Sequence, residues 1–496
     1  MPKLSREIEK YFNGKGDLDL IFRMIDNGHI DQEDVPFCYE LIAANACDQT
    51  TFILIGLLRI INKEWHDYAL LAKTLNCLEE TAYELINNKG ITVRIPVVDP
   101  HGDRCQISEL LVIPLSKENL FTNQAQEDNL QLISKLTNKK YYIAIQQDIC
   151  DSSYMLALYT ALVADDDKYL DEYVYSGRIR ANGQVESPTE LDMKQKCSTK
   201  AKYRLVYGDF TINEFNYWIT NNKIPVPFVV LFDRAAAEGI ESIKKNILGV
   251  VKKQYEYFSF ELLERFYDLQ MEDLFLLEQK PLPLKGSIWS DFILNQALPI
   301  LVEALRNVPS NKRIFQVFGS NAVLLFGIGT ILSEYYAFQG YHFYNGEYYL
   351  VITNGEDIRG MKKRLKPKEL TLTECKIEDQ KEVMLVNIYL ASHRPDFASR
   401  EFLSKQGIEY GTADIELKID QGNIDFNQSW LPYVNELYNH LNLIFERSKQ
   451  VHLFMSCPVT IAFALGVAVG HYWDITAYQY DLKNKTYFKA FNLNDI

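Results

Sequence analysis

The chain has 496 residues, which at roughly 150 residues per domain is enough for about three domains. Hydrophobic residues make up 47% and charged residues 24%, and glycine and proline are scarce, so the composition excludes collagen-like and broadly disordered proteins. The net charge of −14 argues against general binding of nucleic acid, although it is compatible with a local basic pocket.

The cysteines and the first residues of the chain indicate the cellular compartment in which the protein is expected to act. The eight cysteines include no C-x-x-C pair, and most lie in apolar runs. This pattern predicts reduced, buried thiols in a cytoplasmic protein and no zinc or other metal site. The first residues, MPKLSREIEKYF, contain no apolar segment of the kind that a secretory signal needs.

The chain changes character along its length. Residues 1–90 consist of amphipathic helical patterns such as FCYELIAANA, separated by short polar breaks. Residues 91–250 alternate strands such as ITVRIPVV with helices, and residues 251–280 look helical and linking. An α/β region follows to residue 496, so the predicted fold class is multidomain, mixed α/β and α+β.

The middle segment contains the candidate chemistry. A strand leads into a polar loop with Ser152 and Ser153, which opens the apolar helix MLALYTAL. The pattern S-G-x-I-x-x-x-G-x-V follows at Ser176–Val185, before a helix that carries Lys194. Lys196 and Lys200 lie further along that helix and are predicted to be solvated.

This order of parts resembles the Lon-type Ser-Lys protease domain. In that family a nucleophilic serine begins a helix, and a T-G-E-I-x-x-x-G-x-V strand pair precedes the lysine helix. The resemblance implies that Lys194 is the catalytic lysine of a serine endopeptidase domain over residues 91–250. No P-loop pattern GxxxxGK[ST] is present, so the resemblance implies an ATP-independent enzyme.

Two serines compete for the role of nucleophile. Ser152 gives an interval to Lys194 close to that of Lon and follows an aspartate, as in archaeal Lon. Ser153 instead brings Thr160-Ala161-Leu162 into register with a Lon-like T-A-L. We favour Ser152 and keep Ser153 as the alternative. The proline and glycines expected around the serine are missing, and Ser187–Glu190 replaces the family's PVGG.

The chemistry explains why these residue types matter. A serine hydroxyl needs a base, and a lysine acts as one only when it is neutral, a form that desolvation by apolar neighbours favours. Backbone N–H groups at the helix start near Ser152 are expected to bind the oxyanion, which is worth roughly 3 kcal/mol per donor in comparable sites.

The C-terminal region contains an internal duplication. Two uncharged stretches, Ile314–Ser333 and Leu453–Val469, each show a β-rich run, a turn and an Ala/Leu/Gly run. This order predicts a buried strand, turn and helix rather than a membrane span. A shift of 136 residues superimposes Phe318 on Phe454, Ser320 on Ser456, Val323 on Val459 and Tyr344 on Tyr480. Each copy ends in a Tyr-rich hairpin, centred on Asn345-Gly346 and on Asn484.

The last segment is similar to the end of the SAVED domain. That ending combines an apolar strand, a small-Pro turn, an Ala/Leu/Gly helix and Y-x-x-A-φ-x-L, matched here by Tyr487, Ala490, Phe491 and Leu493. The resemblance implies a SAVED domain over residues 251–496, built from two CARF-like α/β halves at about 281–372 and 373–496. SAVED domains bind cyclic oligonucleotide second messengers.

A Lon-like domain joined to a SAVED domain resembles the CRISPR-associated Lon-SAVED proteases of the CalpL type. The resemblance implies that cyclic tetra-adenylate, made in type III CRISPR defence, binds the SAVED domain, promotes self-association and activates cleavage of a protein partner. The implied partner is an anti-sigma-like protein with a MazF-like part. No cofactor, membrane or genomic nucleic acid is implied.

Several polar loops after strands are candidate ligand-binding positions, because helix starts and loops after strands bind phosphates. The candidates are Lys285 with Trp289 to stack an adenine, Ser320 with Asn321, the run Ser392, His393 and Arg394, and Ser456 with Pro458. A basic run also connects the halves, and a solvated connector is the favoured interpretation for it. Its cations are Arg359, Lys362, Lys363, Arg364, Lys366 and Lys368.

Two classes of function follow. The first is a nucleotide-activated Ser-Lys peptidase, and the second is a ligand-gated scaffold whose Lon-like part is inactive and only holds a partner. A SAVED nuclease is disfavoured, because no D-x-n-E-x-K cluster is evident.

Overall fold

The computed structural model divides the chain into two compact units, Met1–Thr220 and Asn221–Ile496. It describes residues 3–28, 31–45, 51–61, 67–99, 101–102, 104–120, 127–145, 152–164, 168–220, 223–232, 239–278, 280–284, 286–332, 337–355, 360–391, 393–418 and 424–496.

The first unit begins with six helices and continues as a mixed sheet with further helices. Its helices are α1 (Leu4–Phe12), α2 (Leu18–Asp26), α3 (Val35–Ala44), α4 (Thr51–Ile60), α5 (Tyr68–Leu75), α6 (Glu79–Asn87), α7 (Glu127–Thr137), α8 (Met155–Val163), α9 (Lys168–Asp171), α10 (Leu191–Lys200) and α11 (Ile212–Thr220). Its strands are β1 (Ile91–Val98), β2 (Cys105–Leu115), β3 (Lys140–Ile145), β4 (Tyr173–Tyr175), β5 (Arg178–Ile179), β6 (Val185–Glu186) and β7 (Arg204–Val206).

The sheet of the first unit has the strand order β3-β2-β1-β4-β7. The β1, β2 and β3 pairings are antiparallel, whereas β4 runs parallel to β1 and to β7. Because side chains alternate along a strand, Ile113 and Tyr142 share one face, and both belong to the core formed with the N-terminal helices. The predicted helical region 1–90 therefore shares one hydrophobic core with the sheet.

The second unit is an α/β structure with two sheets. Its helices are α12 (Ile240–Gln254), α13 (Phe260–Tyr267), α14 (Met271–Leu274), α15 (Gly286–Phe292), α16 (Leu298–Asn307), α17 (Ala322–Ile331), α18 (Asp396–Lys405), α19 (Leu431–Phe445) and α20 (Val459–Val469). Its strands are β8 (Ile224–Phe232), β9 (Phe275–Glu278), β10 (Arg313–Gly319), β11 (Phe338–Tyr344), β12 (Glu347–Asn354), β13 (Thr373–Glu378), β14 (Val383–Tyr389), β15 (Gly411–Leu417), β16 (Gln450–Ser456), β17 (Asp474–Asp481) and β18 (Thr486–Asn492). A π-helical turn, Ile293–Ala297, joins α15 to α16.

The two sheets repeat one topology. Their strand orders are β12-β11-β10-β8-β9 and β18-β17-β16-β14-β15-β13, so the second sheet repeats the first and adds β13 at its edge. In both sheets the central strands are parallel and the last two form an antiparallel hairpin. The duplication predicted from the sequence is present in the fold, and the two uncharged stretches form β10–α17 and β16–α20, as predicted.

The first half begins earlier in the chain than the sequence indicated. β8 pairs in parallel with β10 along seven residues and with β9 on its other side. Residues 221–250 therefore belong to the second unit, not to a protease-like region ending at residue 250, and the first half extends upstream of residue 281. The apolar pattern of β8 identifies a buried strand but not the partner with which it pairs.

Helices α17 and α20 pack against each other with local two-fold symmetry. A Cβ on Gly329 would overlap the backbone carbonyl of Phe463, and a Cβ on Gly466 would overlap that of Phe326. Each glycine therefore lets the other helix approach its backbone, and the contact is the same in both directions.

An aromatic triad repeats in the two halves, with Tyr348 edge-on to Phe318 in the first and Tyr487 edge-on to Phe454 in the second. Phe318 stacks on Tyr341 at 4.5 Å between ring centroids, and Phe454 stacks on Tyr478 at the same distance. Tyr341 and Tyr478 both follow a register shift in their hairpins. Tyr478 is thus the counterpart of Tyr341, one residue beyond the sequence offset of 136, so the predicted equivalence of Tyr344 and Tyr480 is off by one position.

The part of the chain that the structure describes includes six cysteines, all of them free thiols, and none is exposed. Within it, the stretch Gly286–Asn307 is long and apolar enough to cross a membrane by length and composition alone, and 33% of its most apolar window is buried. This is weak evidence for a span, because core helices of soluble proteins pass the same test.

Candidate active site and ligand cavity

The signature around Lys194 folds as the sequence predicted. Ile179 pairs with Val185 in the β5–β6 hairpin, whose turn contains Gly183 at φ +81°. Helix α10 follows and places Lys194 in the interior, with 1% of its surface exposed. Lys196 and Lys200 on the same helix are exposed, in agreement with their predicted solvation.

Lys194 lies between two serine hydroxyls. Its Nζ donates to Ser153 Oγ at 2.9 Å and to Ser176 Oγ at 3.4 Å. Ser176 is 1% exposed and Ser153 9% exposed, so this arrangement is largely removed from water. One turn along α10, Ser198 Oγ donates to the carbonyl oxygen of Lys194 and fixes the helix locally.

The serine in contact with Lys194 is Ser153, not the favoured Ser152. Ser152 is only half-buried, and its carbonyl accepts from Met155 N at the start of α8. The side chains of adjacent residues point in different directions, so only one of the two can face the lysine. The Ser153 alternative, which brings Thr160-Ala161-Leu162 into the Lon-like register, agrees with this contact.

Backbone hydrogen bonds join the serine turn to the β5 segment. Gly177 N donates to Ser153 O at 2.7 Å, and Leu156 N donates to Gly177 O at 3.1 Å. A Cβ on Gly177 would lie 2.9 Å from Val185 Cγ1, so the close approach requires glycine. The amides of Met155 and Leu156 are already bonded within the fold, so they are not the oxyanion donors expected at this helix start.

Ser176 belongs to the signature S-G-x-I-x-x-x-G-x-V, but no functional role was predicted for it. Ser176 aligns with the threonine of the Lon-type T-G-E-I pattern, and this alignment could have pointed to a role for Ser176 beside the lysine.

A cysteine thiol also lies near the lysine. Burial and a hydrogen bond to Cys197 raise the pKa of the Cys105 thiol to about 12, although Lys194 acts in the opposite direction. Cys105 is therefore neutral at physiological pH.

The second unit contains a cavity of about 720 Å³ between its two halves. The first half contributes the start of α17, and the second contributes the β17–β18 hairpin. The lining residues are Phe232, Pro281, Leu282, Pro283, Leu284, Trp289, Ser320, Asn321, Leu324, Gln479, Tyr480, Asp481, Leu482, Lys483 and Asn484.

Three predicted ligand residues line this cavity. Ser320 Oγ accepts from Phe232 N at 2.9 Å. Asn321 caps α17 by accepting from Leu324 N, and its Nδ2 donates to Gln479 Oε1 at 3.2 Å across the two halves. Trp289 is 3% exposed and its Nε1 donates to Pro283 O, so it forms the wall rather than presenting an open face to an adenine.

The other predicted ligand residues lie elsewhere. The ring centroid of His393 lies 4.5 Å from that of Tyr480, with the ring planes tilted by 39°, so His393 contacts one cavity residue. Arg394 pairs with Glu416 and Asp396, and neither Ser456 nor Pro458 lines the cavity. Lys285 and Ser392 lie outside the described residues.

Sequence reasoning missed the hairpin residues Gln479–Asn484 as part of the cavity. The Tyr-rich hairpin was identified, but its position opposite the start of α17 depends on contacts between distant parts of the chain. Asp481 closes the hairpin by accepting from Asn484 Nδ2 at 2.6 Å and from Lys483 N at 2.9 Å. These bonds hold Lys483 and Asn484 at the cavity edge.

Comparisons with known proteins agree with the C-terminal architecture. Residues 302–493 match the family described as "SAVED: SMODS-associated and fused to various effectors sensor domain". The match begins inside α16 and therefore omits β8 and β9, which complete the first sheet. No curated protein matches the chain.

The solved structures that resemble the chain include Cap4 receptors. One is the Acinetobacter baumannii Cap4 SAVED/CARF-domain containing receptor with the cyclic trinucleotide 3'3'3'-cAAA, at 11% identity, TM-score 0.40, and coverage of 81% of this chain and 94% of that one. The same receptor with 2'3'3'-cAAA matches at 17% identity and TM-score 0.32, over 42% of this chain and 44% of that one, so the chain spans under half of it. The Moraxella osloensis Cap4 receptor matches at 11% identity and TM-score 0.33, over 75% and 78%. The chain is a mixed α/β multidomain protein, and its residues 302–493 match the SAVED domain.

Proposed function

We propose that this chain is a serine endopeptidase activated by a cyclic oligonucleotide. In this proposal the messenger binds the cavity of the SAVED domain, promotes self-association and activates Ser153 and Lys194. The observation that carries the proposal is the 2.9 Å hydrogen bond between the buried Lys194 Nζ and Ser153 Oγ. By resemblance to the Lon-SAVED proteases, the proposed activator is cyclic tetra-adenylate in type III CRISPR defence.

The residues have distinct roles in the proposed reaction. Lys194, when neutral, takes the proton of Ser153 as its Oγ attacks the peptide carbonyl, and it later returns that proton to the leaving amine. Ser176 is a positioning residue, because its hydroxyl accepts from Nζ and orients the amine toward Ser153.

Backbone strain at the start of the lysine helix also supports the resemblance to Lon. Glu190 precedes α10 with φ +55° and ψ +38°, in the left-handed region. Glycine adopts this conformation without a Cβ penalty. Glu190 stands where the family's PVGG ends in glycine, the residue that this conformation favours, so the backbone here agrees with the resemblance although the sequence has lost the motif.

The cavity has features that suit a cyclic oligonucleotide. It is lined by backbone at a helix start, by amide side chains and by Lys483, all of which can contact phosphates or base edges. The Acinetobacter baumannii Cap4 receptor is described with the cyclic trinucleotides 2'3'3'-cAAA and 3'3'3'-cAAA, so ring size is part of the test.

The test has two stages on the full chain. Thermal unfolding is first measured against cyclic oligoadenylates of three, four and six nucleotides and against cyclic dinucleotides. A ligand at about 100 times its dissociation constant adds roughly 2.7 kcal/mol, a shift of several degrees. Cell extract is then incubated with protein and the active ligand, and newly formed peptide N-termini are identified by mass spectrometry.

The variants separate catalysis from packing. Lys194→Met and Ser153→Ala should abolish the new N-termini, whereas Ser152→Ala and the exposed Lys196→Met should leave them unchanged. The partner expected among the cut proteins is anti-sigma-like with a MazF-like part. Cleavage that persists in Lys194→Met would disprove the dyad.

A ligand-gated scaffold is the second candidate, supported by the loss of the Pro and Gly residues around the serine. It predicts a thermal shift with the ligand, no new N-termini, and identical partner binding by wild type and Lys194→Met.

A further inference from the structure

The connector between the two halves of the second unit carries an unbalanced group of cations. Lys363, Arg364, Lys366 and Lys368 are all exposed within six residues, in a chain of net charge −14. In the described part of the chain, no carboxylate oxygen lies within 4 Å of their charged groups. We refer to these four residues as the cationic strip.

The backbone of the strip is held against α19. Asn435 Nδ2 donates to Gly360 O at 2.8 Å and to Lys363 O at 3.1 Å. Asn439 Nδ2 donates to Lys363 O at 2.9 Å, and its Oδ1 accepts from Leu365 N at 3.0 Å. The sequence suggested a solvated connector, but these bonds give the cations a fixed backbone.

An open aromatic ring stands beside the strip. Trp473 stacks between Tyr438 and Phe445 of α19, at 5.6 Å and 4.4 Å between ring centroids, which fixes the turn before β17. The adjacent Tyr472 is 86% exposed. Lys362 Nζ lies 5.9 Å from the Tyr472 ring centroid and 5.8 Å from that of Tyr438, which links the ring to the start of the strip.

We propose that the cationic strip and Tyr472 bind single-stranded nucleic acid. Exposed cations on a fixed backbone contact successive phosphates, and a planar ring with an open face stacks a base; this combination is how proteins bind single strands without sequence preference. Within residues 360–369 and 471–473, Tyr472 is the one exposed large hydrophobic side chain, and a single ring is much less than the apolar face with which proteins bind a bilayer surface. The inference is independent of the proposed peptidase.

The test is fluorescence anisotropy of the full chain with labelled single-stranded RNA and DNA 20-mers of uridine and thymidine. If the four cations each neutralise one phosphate, affinity should fall about 50-fold between 50 and 200 mM salt. The variant with Lys363, Arg364, Lys366 and Lys368 changed to Glu should lose binding. Tyr472→Ala should weaken it roughly tenfold, and Tyr472→Phe, which retains the stacking ring, should restore it.

A matched control makes the same change in net charge elsewhere. Lys15, Lys73, Lys135 and Lys140 are exposed in the first unit, and their change to Glu should leave strand binding intact. The strip variant should keep the thermal shift with cyclic oligoadenylate. Its loss of strand binding would then not be due to damage to the ligand cavity. The proposal is overturned if neither oligonucleotide binds, or if the control variant loses binding equally. Binding to phosphatidylserine vesicles is measured for the same variants, and a strip variant that loses binding only to these vesicles would also overturn the proposal.

Discussion

The two α/β halves of the second unit share a skeleton but differ in the polar groups placed on it. In the first half, Gln316 Nε2 donates to Gln339 Oε1 and to Tyr341 OH. At the equivalent position of the second half, His452 Nδ1 lies 2.7 Å from Tyr478 OH. The aromatic triads and the glycine contacts are retained, so the duplication preserved packing while the polar positions diverged.

The starts of the two central helices also differ. Asn321 caps α17 and faces the cavity, whereas Pro458 precedes α20 without a side-chain cap. The described cavity accordingly includes residues from the start of α17 and none from the start of α20. Duplicated folds can thus keep a symmetric core and use the corresponding ends of their helices differently.

Breaking the shared helix contact should have the largest effect. Gly329→Ala and Gly466→Ala each place a Cβ on a backbone carbonyl of the opposite helix, so the free energy of unfolding of the second unit should fall by about 3 kcal/mol or more. Denaturant unfolding of the full chain, followed by tryptophan fluorescence, measures the loss.

Gly249→Ala in α12 is the matched control, because a Cβ there meets nothing within 4 Å. It should be neutral or stabilise by about 0.5–1 kcal/mol. If only one of the two interhelix glycines proved sensitive, the symmetric description of the contact would be incorrect.

His452, the counterpart of Gln316 in the second half, should make the free energy of unfolding depend on pH. Burial lowers the pKa of His452 below its usual 6.5, so the unfolded chain takes up the proton first as the pH falls. Stability due to this group is complete above pH 6.5 and declines below it, by at most about 1.4 kcal/mol per pH unit.

His452→Gln, which copies the first half, should reduce this decline between pH 7 and 5. Burial also lowers the pKa of His342 and His440, so part of the slope should remain. Gln316→His should introduce a comparable slope into the first half. Thermal unfolding at several pH values gives the slopes, and an unchanged slope in His452→Gln would contradict the assignment.

The cap at the start of α17 should give the smallest effect. Asn321→Ala removes the bond from Leu324 N and the link to Gln479, so it should destabilise by about 1 kcal/mol, whereas Asn321→Asp should retain most of the cap. Pro458→Ala should change stability by less than about 0.5 kcal/mol. Calorimetry of the full chain compares the three, and equal losses in the two alanine variants would argue against this difference between the halves.

Local patterns in the sequence determined many of the individual hairpins, strands and helices of this protein. The hairpin at Asn345-Gly346, the strand–turn–helix units at β10–α17 and β16–α20, and the hairpin and helix that carry Lys194 depend on nearby residues, because turn residues and apolar periodicity act over a few positions. The resemblance to SAVED followed from the same patterns and agrees with the family match over residues 302–493.

Only the tertiary structure decided which distant residues and strands contact each other. It placed Ser153 rather than Ser152 against Lys194, because adjacent side chains diverge and the choice depends on the packing of α8, β5 and α10. It assigned β8 to the second unit through its pairing with β10. It also brought Asn321 to Gln479, which are 158 residues apart. Such contacts depend on how sheets and helices pack. The local sequence around a residue does not specify which distant residue it will contact.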